Sequence, residues 1–290
     1  MDFLHAGGAL VGLAIGDALG APFEGCPPPA RRVRDFLPGG RICRRPGYYT
    51  DDTLQALAVA ESLSALRGFL PGDILLRMIR DYVRQPEVYG PTSGAVFSRV
   101  MLGEDPGSAA VRVHALHHGS RSNGSVMRGP PLGIFSCGPE LESWSLALSR
   151  ITHADPVAGA CSAWINRMVS DLARGVPRER AFFHALHRCR EEETIRVMGE
   201  FRAFEPFPGL DALEASHAAL SLFMECRTFE DTVSRAVSMG GDADTVGALA
   251  GALAGACYGL TGIPGRWLAG LHGMERVWEA SVRLWAVSRC

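Results

Sequence analysis

The sequence carries little net charge and has no paired cysteines of the kind found in zinc modules. Its 290 residues include 29 Lys and Arg against 31 Asp and Glu, a net charge of −2. Without a basic excess or an acidic tail, bulk charge indicates no nucleic acid partner. The eight cysteines form no CxxC pair and no regular spacing, which excludes the usual zinc pattern and argues against a disulfide framework. We therefore expect a reduced, cytoplasmic protein with mostly buried thiols.

The sequence also shows no pattern typical of a leader peptide or of a membrane-spanning helix. Met1-Asp2-Phe3 lacks the positive region of a signal peptide. Two apolar stretches, Ala6–Ala21 and Val246–Leu260, are rich in Gly and Ala. The first contains Asp17, and the second is about 15 residues long, short of the roughly 20 that a bilayer requires. Both stretches are better interpreted as core helices, and we expect no membrane partner.

Strand-like alternation is scarce, and most segments follow a period of 3.6 residues. The segment Thr53–Leu70, for example, is predicted to be a helix that Pro71-Gly72 terminates. The Pro- and Gly-rich breaks are neither long nor polar enough to be interdomain linkers. The sequence therefore predicts one all-α domain over residues 1–290.

Two of the predicted helices carry glycine at every fourth position. The first has Gly8, Gly12, Gly16 and Gly20, and the second has Gly247, Gly251, Gly255 and Gly259. Each glycine costs about 1 kcal/mol relative to alanine inside a helix, so eight of them require a reason. A spacing of four places each set on one face, where another backbone can approach closely. The two helices are either packed on each other or packed against different partners.

Acidic residues stand at the ends of these apolar helices. Asp17 and Glu24 lie in and just after the first, Asp51-Asp52 opens the helix after Thr50, and Asp242 and Asp244 open the second glycine-striped helix before Thr245. Any one of these motifs alone is more often a helix N-cap. Crowded aspartates, however, raise the cost of each other's charge, which a cation would relieve. With no Cys or His nearby, oxygen ligands favour Mg²⁺ or Mn²⁺, and the number of ligands suits two ions.

Two other motif assignments fail on context. The segment Asp242–Val246 matches the DxDx[TV] signature of haloacid-dehalogenase-type phosphatases, but that motif must end a buried strand, and here it enters a glycine-rich helix. An EF-hand loop requires an acid at its twelfth position, where this sequence has Leu253.

Five segments together resemble the motifs of the ADP-ribosylglycohydrolase family. In chain order they are GLAIGDALGAPFE (Gly12–Glu24), YTDDTLQALAVAESL (Tyr49–Leu63), SNGSVMR (Ser122–Arg128), THADP (Thr152–Pro156) and MGGDADTVGA (Met239–Ala248). The first, second and last are specific in combination. The branch that removes ADP-ribose from an arginine of dinitrogenase reductase looks more similar than the serine-specific branch.

The resemblance implies an orthogonal all-α bundle with two Mg²⁺ or Mn²⁺ ions. Carried over by motif, one ion would be held by Thr50, Asp51, Asp52 and Asp244. The other would be held by Asp242, Asp244, Thr245 and Glu24, with Asp244 bridging. His153 and Asn123, with Gly124 and Ser125, would line the ADP-ribose cleft.

The chemistry expected of such a site is hydrolysis at an anomeric carbon, for which carboxylates and an activated water are suitable. The candidate catalytic carboxylates are Glu24, Asp51, Asp52 and Asp242. Backbone N–H groups could bind the diphosphate; the candidates are Gly119, Ser120, Ser122, Asn123, Ser238, Met239, Gly240 and Gly241. No Ser-His-Asp or Cys-His nucleophile set is apparent.

The expected substrate is an ADP-ribosylated protein, with arginine as the first linkage, or an ADP-ribose-containing small molecule. Serine-linked ADP-ribose, O-acetyl-ADP-ribose and a non-catalytic ADP-ribose-binding role are the alternatives. Many relatives carry Gly-Tyr where this chain has Gly209-Leu210. In those relatives the tyrosine ring lies near the ligand. In this chain that contact with the ligand is therefore either absent or provided by Phe207.

Overall fold

A computed structural model describes residues 1–40 and 45–289. The described residues form fifteen α-helices and no β-strand, which confirms the all-α prediction. The helices are α1 (Phe3–Gly20), α2 (Asp51–Leu66), α3 (Pro71–Arg84), α4 (Pro91–Met101), α5 (Pro106–Leu116), α6 (Pro130–Phe135), α7 (Glu140–Arg150), α8 (Pro156–Ala173), α9 (Arg178–Arg188), α10 (Glu192–Gly199), α11 (Ala212–Glu225), α12 (Phe229–Val237), α13 (Ala243–Tyr258), α14 (Gly265–Gly270) and α15 (Met274–Ala286).

The predicted helix Thr53–Leu70 has both of its ends wrong. Helix α2 begins at Asp51 and ends at Leu66, where Arg67 takes a left-handed conformation with φ of 50°. Pro71 then occupies the first turn of α3 rather than stopping α2. Proline is suited to that position because the N–H it lacks would have no partner within the helix.

The glycine faces of α1 and α13 pack directly against each other. A Cβ placed on Gly16 would lie 1.9 Å from the carbonyl oxygen of Gly247. A Cβ on Gly12 would lie 2.3 Å from the carbonyl oxygen of Gly251, and a Cβ on Gly8 would lie 2.4 Å from the carbonyl oxygen of Gly255. Residue numbers rise along one helix as they fall along the other, so the pair is antiparallel. The hypothesis of mutual packing is confirmed, and the alternative of separate partners is wrong.

This antiparallel pair brings the two acidic helix ends together. Helix α1 runs into the short 3-10 turn Ala21–Phe23 and then Glu24, while α13 begins one residue after Asp242. An antiparallel bridge between Cys26 and Gly241 ties the two ends. The Gly25 N–H donates to the Gly241 carbonyl at 2.7 Å, and the Gly241 N–H donates to the Cys26 carbonyl at 2.8 Å. The close helix contact therefore brings Glu24 and Asp242 to the same end of the helix pair.

Helix α1 is central to the core. The window Phe3–Phe23 is long and apolar enough to cross a membrane, and 83% of it is buried inside the fold. A core helix of this kind is what the sequence predicts for Ala6–Ala21.

The cysteines correct one expectation. Five have free thiols, of which Cys161 and Cys226 are buried. Cys137 is disulfide-bonded, so the expectation that all cysteines are reduced is wrong. Cys43 and Cys290 lie outside the described residues.

Candidate active site

A cavity of about 130 Å³ opens where α1, α2 and α13 meet. Six of the seven predicted metal ligands line it: Glu24, Asp51, Asp52, Asp242, Asp244 and Thr245. Thr50, the seventh, is buried beside them, and its hydroxyl lies 3.2 Å from Oδ2 of Asp52. Three segments far apart in the sequence therefore meet at one point.

The simpler interpretation, that these residues are helix caps, fails. Asp242 and Thr50 stand at the N-cap positions of α13 and α2, yet neither side chain makes a capping hydrogen bond. Elsewhere this chain caps helices in the ordinary way, as Asp155 does on α8 and Asp211 on α11. Helix capping therefore does not account for the side chains of Asp242 and Thr50.

The four aspartates are buried close to one another, and their charges are costly there. Burial is the main cause that raises the pKa of each carboxyl, and neighbouring carboxylates raise it further. The pKa of Asp51 rises to about 8 and that of Asp242 to about 6. For Asp52 and Asp244 the pKa lies well above its ordinary value of 3.8. Buried carboxylates of this kind are stable as anions only beside positive charge.

One oxygen of this cluster has no partner. Oδ1 of Asp52 is buried and makes no hydrogen bond, although buried polar atoms are almost always paired. Among residues 1–40 and 45–289, no three Asp, Glu, His or Cys side chains surround a common point as a ready-made metal shell. The donor set nevertheless fits hard divalent cations, because it consists of carboxylate and hydroxyl oxygens with an unpaired oxygen among them.

Asp17, which the sequence does not mark as a ligand, anchors the start of α2. It is completely buried and accepts four donors: the backbone N–H and hydroxyl of Thr50 and of Thr53, at 2.6–3.0 Å. The Thr50 hydroxyl contacts both Asp17 and Asp52. Asp17 therefore fixes the backbone from which Asp51 and Asp52 project. An acid inside an otherwise apolar glycine-striped helix is the sequence signal for it.

A second anchor reaches Asp51 from the opposite side. Arg128 is completely buried and donates to Oε1 of Gln55 at 2.9 Å. Gln55 in turn donates from Nε2 to Oδ2 of Asp51 at 2.8 Å. Arg128 thus fixes the orientation of the Gln55 amide, and the amide fixes one oxygen of Asp51. Burial lowers the pKa of Arg128 to about 9, so it still carries a positive charge at neutral pH.

Four of the predicted substrate-binding residues line the same cavity: Ser122, Asn123, Gly124 and His153. The Asn123 amide donates to Oδ2 of Asp242. This hydrogen bond links the predicted substrate-binding residues to the carboxylate cluster. His153 lies 2.9 Å from the Ser122 hydroxyl and 2.7 Å from that of Thr152. Burial, with a smaller effect from Arg128, holds the pKa of His153 well below its usual value, so its ring is neutral.

The other predicted substrate-binding residues do not line the cavity: Gly119, Ser120, Ser125, Ser238, Met239, Gly240 and Gly241. Several of the N–H groups expected to bind a diphosphate already donate to backbone carbonyls, namely those of Gly119, Asn123, Ser238, Met239 and Gly241. Ser120 is buried and bonded to His114. Gly240 and Gly241 instead have positive φ and pack against backbone at Cys26–Pro28 and Pro208. These glycines shape the loop that presents Asp242.

The loop before α11 covers one side of the cavity. Leu210 lines it, and its carbonyl accepts the Asn123 N–H at 2.9 Å. Phe207 is 61% exposed and is not part of the lining. No aromatic ring from this loop therefore lines the cavity among the described residues.

Comparison with known proteins identifies relatives of this chain. A family model described as ADP-ribosylglycohydrolase matches residues 4–289. The ADP-ribosyl-[dinitrogen reductase] glycohydrolase of Rhodospirillum rubrum is 34% identical over 91% of this chain and 89% of its own length. The ADP-ribosylarginine hydrolase Tri1 of Serratia proteamaculans is 30% identical over 94% of this chain and 76% of its own.

A solved structure gives the same result for the fold. A chain from an "ADP-ribosylglycohydrolase-related protein complex" superposes with a TM-score of 0.87 and 36% identity, covering 99% of both chains. The match extends over the cavity as well as the surrounding helices. The chain therefore belongs to the ADP-ribosylglycohydrolase family of enzymes.

Proposed function

We propose that this protein hydrolyses the glycosidic bond between ADP-ribose and a protein side chain, with arginine as the preferred linkage. The observation that carries the proposal is the buried cluster of Asp51, Asp52, Asp242 and Asp244, which lines an open cavity and whose member at an N-cap position, Asp242, makes no capping hydrogen bond. A relative named ADP-ribosylarginine hydrolase supports the arginine linkage, and a relative named for ADP-ribosyl-[dinitrogen reductase] supports a protein as the carrier of the ADP-ribose.

The residues that would hold two Mg²⁺ or Mn²⁺ ions follow from the motifs. Thr50, Asp51 and Asp52 would bind one ion, Asp242, Thr245 and Glu24 the other, and Asp244 both. Such ions, when bound, orient ribose hydroxyls and lower the pKa of a water molecule.

The chain's own side chains then position the substrate. Asn123 bonds to Asp242 and keeps that carboxylate turned toward the cavity. The neutral ring of His153 is held at both nitrogens by the hydroxyls of Ser122 and Thr152, and it would form part of the cavity wall without adding a charge there. Glu24, Asp51, Asp52 or Asp242 would accept the proton of the attacking water, since a carboxylate within one hydrogen bond of that water is the required base.

A panel of linkages tests the proposal. Release of ADP-ribose is measured by chromatography from ADP-ribosyl-arginine, ADP-ribosyl-serine and O-acetyl-ADP-ribose, each with Mg²⁺, Mn²⁺ or EDTA. We expect release that EDTA abolishes, and fastest from arginine. Metal-independent release would contradict the mechanism, and release from serine or the acetyl ester alone would replace the arginine assignment. Binding of ADP-ribose with no release from any linkage would indicate a non-catalytic relative.

The anchoring role of Asp17 gives a separate prediction. Asp17→Asn keeps the side-chain shape but replaces one acceptor oxygen by an amide group, so Thr50 and Thr53 lose part of their support. We expect Mn²⁺ affinity to fall by about 10- to 100-fold, as is typical when a partner of a metal ligand is removed. Calorimetric titration measures this directly. Asp35→Asn, at an exposed site paired with Arg266, is the matched control, and equal Mn²⁺ affinity in the two variants would contradict the role.

A further inference from the structure

A second cavity, with no lining residue in common with the first, lies between α7, α8 and α9. Its volume of about 350 Å³ is within the range of pockets that hold small ligands. One wall is apolar and is formed by Leu146, Gly159, Ala160, Ala163, Trp164 and Ala185. A cavity with such a wall favours a ligand with an apolar body.

The acidic residues around this cavity already have partners. Glu142 pairs with Arg167 at 2.9 Å and lies 3.7 Å from Arg188. Asp155 accepts the N–H groups that begin α8, and Glu191 accepts those that begin α10. All three carboxylates thus already accept hydrogen bonds or ion pairs, and the lining has four arginines against these three acids.

Two arginines at the rim have no such partner. Arg150 and Arg190 line the cavity and are exposed, and neither guanidinium group makes a hydrogen bond or ion pair with the part of the chain that the structure describes. Their positive charge, next to an apolar wall, is complementary to an anionic group on an apolar body. The first cavity is lined by carboxylates instead and therefore favours cations.

We propose that this cavity, defined by the six apolar residues above with Arg150 and Arg190, is a binding site for a small amphipathic anion. The ligand class is an aromatic or aliphatic body carrying one carboxylate, sulfonate or similar acid. The body packs on Trp164 and Ala163, and the acid lies between the two arginines. The site is distinct from the proposed hydrolytic site and does not depend on that function.

A pair of probes separates the apolar and anionic parts of the proposal. We use 8-anilino-1-naphthalenesulfonate and its uncharged counterpart N-phenyl-1-naphthylamine, and follow fluorescence on titration of the whole protein. One sulfonate probe is expected to bind per chain, unaffected by EDTA or excess ADP-ribose. Displacement by ADP-ribose would place the probe in the carboxylate cavity and overturn the proposal.

Variants locate the probe. Ala163→Trp fills the cavity and is expected to remove binding of both probes, whereas Ala115→Trp on the exposed face of α5 leaves binding unchanged. Replacing Arg150 and Arg190 together by Gln is expected to weaken the sulfonate probe by about fivefold, as for loss of two exposed charge contacts, with no change for the uncharged probe. Arg227→Gln, at an exposed position, is the charge control. Unchanged sulfonate binding in either cavity variant would contradict the site.

A measurement on the unaltered chain guards against misfolding of a variant. Cys189 is half-buried and lines this cavity, while Cys257 is half-buried elsewhere. Alkylation by iodoacetamide, followed by peptide mass spectrometry, is expected to slow at Cys189 when the sulfonate probe is bound and to be unaffected at Cys257. Equal rates at Cys189 with and without bound probe would overturn the proposal.

Discussion

Asp244→Asn is expected to abolish hydrolysis and, at the same time, to make the metal-free protein more stable. Asp244 is the proposed bridge between two ions, so we expect the rate to fall by on the order of 10³, the range seen when one preorganised charge-stabilising group is lost. The measurement is ADP-ribose release from ADP-ribosyl-arginine at saturating Mn²⁺. Asp244→Ala tests the same loss without the amide, and Asp35→Asn is the exposed control.

The stability effect follows from the sign of the pKa shift. The pKa of Asp244 is raised well above 3.8 in the fold, chiefly by burial and then by Asp242 and Asp52. The folded state therefore holds a proton that the unfolded state has released, and stability is lost as pH rises above the unfolded pKa. In EDTA, Asp244→Asn removes this penalty, and its melting temperature should exceed that of the parent by more at pH 8 than at pH 5. A lower melting temperature at pH 8, with activity lost, would show that Asp244 supports the fold rather than the chemistry.

Gly16→Ala is expected to destabilise the protein more than any surface substitution. The added methyl would lie 1.9 Å from the Gly247 carbonyl oxygen and 2.3 Å from the Gly247 carbonyl carbon, so the two central helices must move apart. Overpacking of this kind costs about 1–3 kcal/mol, and more when backbone rather than a side chain must shift. A loss of about 3 kcal/mol lowers the melting temperature by about 6–12 °C in a protein of this size.

Gly72→Ala is the matched control for this change. Gly72 lies in the first turn of α3, and a methyl there meets nothing within 4 Å. We expect it to be neutral or slightly stabilising, because alanine restricts the unfolded chain. Equal melting temperatures for Gly16→Ala and Gly72→Ala would contradict the account of the glycine faces.

The pairing of α1 with α13 was predictable because glycine destabilises a helix relative to alanine. Glycines at a spacing of four have no local advantage in a helix, so the pattern required a neighbouring backbone. Helices α1 and α13 provide that backbone for seven of the eight glycines, whereas Gly259 lies at the C-cap of α13 with φ of 68°. The positions of Glu24 and Asp242 near each other follow from that pairing. Periodicity alone did not fix the ends of α2, since Arg67 ends it through a left-handed conformation that its residue type does not favour.

The supporting residues could not be predicted because they act across long sequence separations. The contact of Arg128 with Gln55 joins residues 73 positions apart, and no spacing rule connects them. Asp17 could be noticed as an acid in an apolar helix, but its partners Thr50 and Thr53 are defined only by the packing of α1 beside α2. Likewise, the sequence does not show that the Gly241 N–H donates to the Cys26 carbonyl. That N–H therefore looks free to bind a diphosphate when the sequence is read alone.

We propose that the buried carboxylates form a site for two divalent cations. Titration of the metal-free protein with Mn²⁺, followed by calorimetry and by the electron paramagnetic resonance signal of free Mn²⁺, measures the number bound. We expect two Mn²⁺ ions to bind per chain. Both Mn²⁺ affinities should be reduced in Asp244→Asn, and neither should be reduced in Asp35→Asn. Absence of tight Mn²⁺ or Mg²⁺ binding, or the same two affinities in Asp244→Asn, would contradict this proposal.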